Sequence, residues 1–159
     1  MWHEKAYRNP VTNADEQHRA SCHVVFNNMN LAGDRELGLV YIQSLSLYSD
    51  NGDEIIRVRI SPHYQDEKKL LTFSVFELDV EAGRALQSGQ GDNTNIMMRY
   101  SDDGGFTWSN ERWVSIGRVG RYIQRARWTR LGSARDRVFW VSFSDPVFTQ
   151  INEAYINTI

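Results

Sequence analysis

The chain has 159 residues, a net charge of −2, 12 % aromatic residues with five Trp, and one cysteine. That is enough chain for one domain with a real core, and too ordinary in apolar and charged content for a disordered segment. The lone Cys22 excludes an internal disulfide and a cysteine-rich zinc site, no apolar run approaches a membrane span, and "MWHEKAYRNP" (1–10) lacks the apolar core of a signal peptide. Synthesis in a host cytoplasm is therefore expected, with Cys22 as a small buried apolar residue.

In chain order, "NADEQHRA" (13–20) has the composition of a turn of helix. "CHVVFNN" (22–28) is a strand closed by Asn-Asn, and "LGLVYIQSLSLY" (37–48) alternates in part. Tyr48–Ile60 is expected as a hairpin tipped by "SDNGD", with Ile56, Val58 and Ile60 on one face of its second strand. In "LLTFSVFELDV" (70–80), alternation puts Leu71, Phe73, Val75 and Glu77 on one face and Leu70, Phe76, Leu78 and Val80 on the other. A Gly-rich loop (81–94) precedes strands at 96–100, 122–132, 137–145 and 147–159. The expectation is an all-β domain spanning 1–159, of about nine antiparallel strands, built as a β-sandwich or from propeller-like blades.

"RYSDDGGFTW" (99–108) is the densest turn signal. Ser101, Asp103, Gly105, Thr107 and Trp108 have the spacing Ser-x-Asp-x-Gly-x-Thr-Trp and resemble the Asp-box hairpin of sialidase-type propellers. Asp103 is suited to accept loop N–H groups, a glycine to supply positive φ, Ser101 and Thr107 to bond across the neck, and Trp108 to cover the hairpin base. A fold-stabilising turn is preferred to a calcium site or a catalytic one, because the closing Glu of an EF-hand loop is missing. "LYSDNGDEI" (47–55) echoes the same Tyr-Ser-Asp-x-Gly 52 residues earlier, a spacing within the range of propeller blades.

His3, His18, His23 and His63 form no metal-binding pattern, and no nucleophile elbow, phosphate loop or dinucleotide fingerprint occurs. Catalytic residues, metal and cofactor are expected to be absent.

Charge is unevenly placed. Residues 112–137 contain eight arginines against Asp136 alone, a net of +7, which leaves −9 for the rest of a chain whose total is −2. Arg118, Arg121, Arg125, Arg127 and Arg130 form the candidate surface for a partner or DNA. The competing reading pairs Arg125 and Arg127 with Glu77, Asp79 and Glu81 on a neighbouring strand. Alternation places Ile123 and Leu131 on the same strand face as these two arginines, and Tyr122, Gln124, Ala126 and Trp128 on the other.

"SDDGGFTWSNERW" (101–113), "SIGRVG" (115–120), "RWTRLGSARDRVF" (127–139) and "SDPV" (144–147), with "WHEK" (2–5), "GLVYIQSLSLYSDNG" (38–52) and "LDVEAG" (78–83) upstream, resemble the C-terminal part of the packaged-DNA stabilisation proteins of short-tailed phages. The resemblance implies a non-enzymatic virion tail protein, the C-terminal domain of a longer chain. It implies that the protein seals the portal channel after packaging, with portal and tail proteins as partners, a ring-forming homo-oligomer and possible contact with packaged DNA. The alternative is a carbohydrate-binding or sialidase-like module that stacks sugars on Trp113 or Trp140.

Overall fold

The computed structural model describes residues 5–12, 14–81, 93–117 and 125–159. Among them are fifteen strands and no helix, every pairing is antiparallel, and no helix is long and apolar enough to cross a membrane. The all-β expectation therefore holds, and the strands exceed the nine expected because several are two or three residues long. The chain divides into two compact units, Met1–Ile55 and Ile56–Ile159.

In the first unit, β1 (Ala6–Arg8) pairs with β2 (Asp15–Gln17). Asn9 Oδ1 accepts the N–H groups of Val11 (2.8 Å) and Thr12 (3.2 Å) to close the turn between them. In place of the helical turn expected at 13–20, the described residues there hold β2 and the first residue of the next strand, at Ala20, with no helix. β3 (Ala20–Phe26), β4 (Met29–Asp34) and β5 (Val40–Gln43) form a three-stranded meander. Asn27 and Asn28 take φ of 47° and 60°, the left-handed pair that a tight hairpin needs and that Asn tolerates. Asp34 closes the next connection, accepting Glu36 N (2.6 Å) and Leu37 N (2.7 Å) on one oxygen and the Tyr41 hydroxyl (2.8 Å) on the other. These donors, led by the Leu37 amide, hold its carboxyl below the usual range.

β6 (Ser49–Asp50) and β7 (Asp53–Glu54) form the hairpin read at "SDNGD", with Asn51 and Gly52 at φ 52° and 92°. It is shorter than expected. β8 (Arg57–Ile60) does not continue it but pairs with β14 in the second unit, and Ile60 on this edge strand and Ile56 just before it are exposed. Cys22 is exposed rather than buried, as is every residue of β3 after Ala20.

The second unit is two sheets. β9 (Leu71–Glu81) is the centre of one, flanked by β12 (Arg125–Thr129) and β13 (Ser133–Ala134) on one side and β15 (Gln150–Thr158) on the other. The second runs β11 (Arg112–Gly117), β10 (Thr94–Ser101), β14 (Val138–Phe143), β8. Inward side chains of both sheets meet in one core, with Phe76 stacked on Phe139 (4.4 Å between centroids) and Trp128 (5.6 Å). Phe73, Tyr64 and Tyr100 pack edge-on against Phe139. Trp128 Nε1 donates to Arg112 O at 2.9 Å, so the indole is buried without losing a hydrogen bond.

Two facings differ from strict alternation. Phe73 is buried with Phe76, Leu78 and Val80, whereas the sequence placed it opposite them. Asn157 and Thr158 of β15 face Val75 and Phe73 of β9, so Ser74 is an extra residue, a bulge that reverses the facing beyond it. At the same level Arg130 adopts φ 58°, which turns Leu131 into the core and away from the arginine face on which alternation had put it.

Candidate interaction site

The turn after β10 is organised by its side chains. Ser101 Oγ donates to Asp103 Oδ1 (2.7 Å) and accepts Gly105 N (2.8 Å). Asp103 accepts Thr107 N (2.9 Å) on Oδ1 and Thr107 Oγ1 (2.6 Å) on Oδ2. These bonds, the Thr107 hydroxyl first, lower the Asp103 carboxyl from 3.8 to about 2. Gly104 and Gly105 have φ of 77° and 101°, and a Cβ at either would have room, so the backbone angle is what requires glycine. Ser101, Asp103, Gly105 and Thr107 are thus brought into one network. Trp108 lies beside it, edge-on to Trp140 (5.3 Å). One detail differs: the hairpin neck is bridged by Ser109, whose N–H reaches Tyr100 O (2.8 Å) and whose Oγ accepts Tyr100 N (3.0 Å), not by Ser101 and Thr107.

The two Tyr-Ser-Asp-x-Gly stretches are closed differently. Asn51-Gly52 is a two-residue backbone turn, whereas 102–111 is a loop held by the carboxylate of Asp103, which aligns with Asn51. Asp102, the residue aligned with Asp50, pairs instead with Arg137 (Nε–Oδ1 2.6 Å, Nη2–Oδ2 2.7 Å). Sequence reasoning missed this pair. Arg137 is 1 % exposed, lies between the rings of Phe73 (4.4 Å) and Tyr100 (4.2 Å), and donates its Nη1 to Leu131 O (2.7 Å). Its place in an arginine-rich stretch hid it; its strand position, next to the buried "VFWVSF" run, was the available signal.

The +7 segment is therefore not one surface. Arg137 is internal, Arg112 is tied to Thr129 O (2.8 Å) and Arg135 to Lys68 O (2.6 Å). Arg118 and Arg121 lie outside the described residues. Arg130 is exposed and makes no ion pair among the described residues. Arg125 and Arg127 are exposed on β12, with Ala126 and Trp128 turned inward.

Register places Arg127, Glu77 and Tyr155 in one row across β12, β9 and β15, and Arg125, Asp79 and Glu153 in the next. Arg125 Nη1 donates to Glu77 Oε1 at 2.9 Å and Arg127 Nε lies 3.8 Å from Glu77 Oε2. The Glu77 hydrogen bond raises the Arg125 guanidinium further above its usual value. The Tyr155 hydroxyl, bonded to Glu153, is raised for the same kind of reason. Along the first of these rows is an open depression of about 230 Å³ lined by Val75, Glu77, Arg125, Arg127, Tyr155, Ile156 and Asn157. The face alternates in sign over a few ångströms. That suits a charged protein surface, while its carboxylates repel a phosphate backbone.

On the opposite sheet, Trp113 is 60 % exposed, but Trp140 is half-buried beneath Trp108 and the Arg99 guanidinium, 4.2 Å away. The two do not form a flat paired platform for a sugar. His63 bonds Asp136 (2.9 Å) and His23 lies 3.3 Å from Asn30. Among the described residues no three His, Cys, Asp or Glu side chains gather as a metal site.

Residues 56–158, nearly the whole second unit, match the family model described as bacteriophage P22 Gp10, beta-sandwich. No curated protein matches the chain.

Proposed function

The chain belongs to the family of the bacteriophage P22 Gp10 β-sandwich domain, a family of phage structural proteins, and on that premise we propose that it is a non-enzymatic tail component that helps seal the portal channel and retain packaged DNA. Residues 1–159 serve as the C-terminal domain of a longer tail protein. The sandwich presents a rigid surface, and the turn at Ser101, Asp103, Gly105, Thr107 and Trp108 acts as an Asp-box brace that fixes one end of it.

The observation that carries this reading is the strip of both signs on the outer face of the β12–β9–β15 sheet. Such a strip is suited to head-to-tail packing of copies in a ring beneath the portal, where an arginine of one copy meets an acid of the next. Protein is favoured over DNA as the partner because Glu77 and Asp79 stand directly opposite Arg127 and Arg125. A DNA contact at these arginines would reveal itself as binding that falls steeply with salt.

Mass spectrometry of gradient-purified particles from an induced culture tests the assignment. Stoichiometric peptides of this chain are expected, and their absence from intact particles would overturn it. The strip itself is tested by Arg125→Glu with Arg127→Glu: particle incorporation is expected to be lost while the circular dichroism of the purified chain is unchanged.

A further inference from the structure

The braced turn after β10 carries one side chain that the brace does not use. Phe106 is 91 % exposed, and among the described residues no other aromatic side chain is open beyond the 66 % of Phe26. A single exposed apolar residue is ordinary on a protein surface; this one differs in how it is held. It follows Gly104 and Gly105, whose φ of 77° and 101° set the course of the loop. It precedes Thr107, which Asp103 grips through both its N–H and its hydroxyl. Phe106 itself enters the network through its backbone N–H, which bonds the Asp103 carboxylate. Its own φ is not positive, so any residue would serve the turn there, and a polar one would do so without presenting a ring to water. A neighbouring connection is also held in an uncommon shape. Residues 61–70 lie beside the turn: His63 Cε1 would be 3.7 Å from a Cβ built at Gly104. In that connection Glu67 and Lys68 adopt φ of 47° and 62°, two successive left-handed residues with neither Gly nor Asn to ease them. Lys69 N donates to Asp66 O (2.7 Å) and Arg135 Nη1 to Lys68 O (2.6 Å), which fixes the shape. Backbone kept in such sparsely populated regions gathers where a protein clamps a ligand or a partner.

We propose that this end of the sandwich docks a different protein of the particle, with Phe106 as the anchor that enters an apolar pocket of that protein and the Glu67–Lys68 turn as part of the rim. The particle is taken from the family reading; the anchor rests on the turn alone. A ring fixed in place before binding loses little freedom on insertion, and an aromatic anchor bordered by polar groups is the anatomy of a specific protein interface. Charge decides against two other takers. Asp102 and Asp103 precede Phe106 in the same loop. The lysines of the rim lie against acids, Lys69 Nζ 3.2 Å from Glu67 and Lys68 Nζ 4.0 Å from Asp136. An anionic membrane or a DNA backbone calls for uncovered basic groups instead. The side chain of Asp102 is 42 % exposed although it pairs with Arg137, so its carboxylate keeps lone pairs for a further donor. The pocket that fits has an apolar floor and N–H or basic groups at its lip.

Quantitative mass spectrometry of particles from cultures that express the chain at a limiting level reads the anchor as copies per particle. Phe106→Ser is expected to lower incorporation at least about tenfold, as the loss of a hot-spot side chain lowers affinity, while the purified variant keeps the native circular dichroism and urea midpoint. Phe106→Leu keeps an apolar anchor and is expected to retain most of the incorporation. Val11→Ser is the control: Val11 is as exposed as Phe106 (90 %) but belongs to the first unit, and its removal is expected to change nothing. The purified chain is expected not to sediment with vesicles of phosphatidylcholine and phosphatidylglycerol. Wild-type incorporation of Phe106→Ser, an equal loss in Val11→Ser, or vesicle binding that Phe106→Ser abolishes would overturn the anchor and leave the virion assignment standing. Particles that lack the wild-type chain would overturn the assignment and this partner with it.

Discussion

The two units are made from the same kind of strand and differ in what the strands enclose. In the second, β9 and β14 present Phe76, Leu78, Phe139 and Val141 to a common core; in the first, the corresponding apolar residues of β3 to β5 face solvent. Strand-forming sequence is thus not what separates a self-sufficient domain from a dependent one. The second layer is. A sheet can satisfy all its backbone hydrogen bonds and still lack the burial that offsets the entropy of ordering it.

The contrast is broken most sharply by equal truncations. Phe139→Ala removes the ring on which Phe73, Phe76, Tyr64 and Tyr100 pack and is expected to cost the sandwich about 3–5 kcal/mol. Phe26→Ala, in the first unit, is expected to move the same transition by less than about 0.5 kcal/mol. Denaturant unfolding followed by tryptophan fluorescence in a Trp2→Phe background reads the second unit, because the other four tryptophans, Trp108, Trp113, Trp128 and Trp140, all lie there; similar costs for the two would mean that the units do not fold separately.

Asp102→Asn comes next. It leaves the buried Arg137 guanidinium with one neutral acceptor in place of two charged ones, an NH2 donor facing its own N–H groups, and no counter-charge, and a loss of about 2 kcal/mol is expected in the same assay. Among the described residues of the first unit there is no equivalent: Arg19 and Asp53 (2.5 Å) are both partly open to water, and Asp53→Asn should cost at most about 1 kcal/mol.

The smallest effect is the one that pH isolates. Asp103 titrates lower in the folded chain than its ordinary 3.8, at about 2. The ionised form is therefore favoured by folding: its contribution is complete above pH of about 4 and is lost as the pH falls toward 2. Asp103→Asn is expected to flatten that part of the urea midpoint against pH curve, and an unchanged slope would show that the turn adds nothing measurable to the sandwich.

Much of this was legible in residues. Asn27-Asn28 and Asn51-Gly52 announce their turns because few other pairs accept positive φ twice in succession. Pairing of Arg125 and Arg127 with the acids of a neighbouring strand is one of two readings of the sequence, because charge and alternation point the same way; that both reach Glu77 is set by the register. The illegible parts come from places where a local rule is broken by distant contacts. Ser74 looks like any strand residue, and only its pairing with β15 makes it a bulge. Arg137 looks like part of a basic surface until Phe73, Tyr100 and Asp102, from two other strands and a loop, close around it. Cys22 looks like a core residue because its apolar neighbours Val24 and Val25 do not reveal that they too are exposed.

The placement of β15 bears on how the protein is made. β9 is flanked by β12 and by β15, and both follow it in the chain, β15 after another 68 residues of synthesis have passed. During translation the longest strand of the sandwich therefore waits with both of its hydrogen-bonding edges open, the exposure on which nascent chains collide and aggregate. Its row of Glu77, Asp79 and Glu81 is made before its cross-strand partners: until Arg125 and Arg127 are added, three like charges along one side of the unfinished strand disfavour pairing with the same strand of a neighbouring nascent chain.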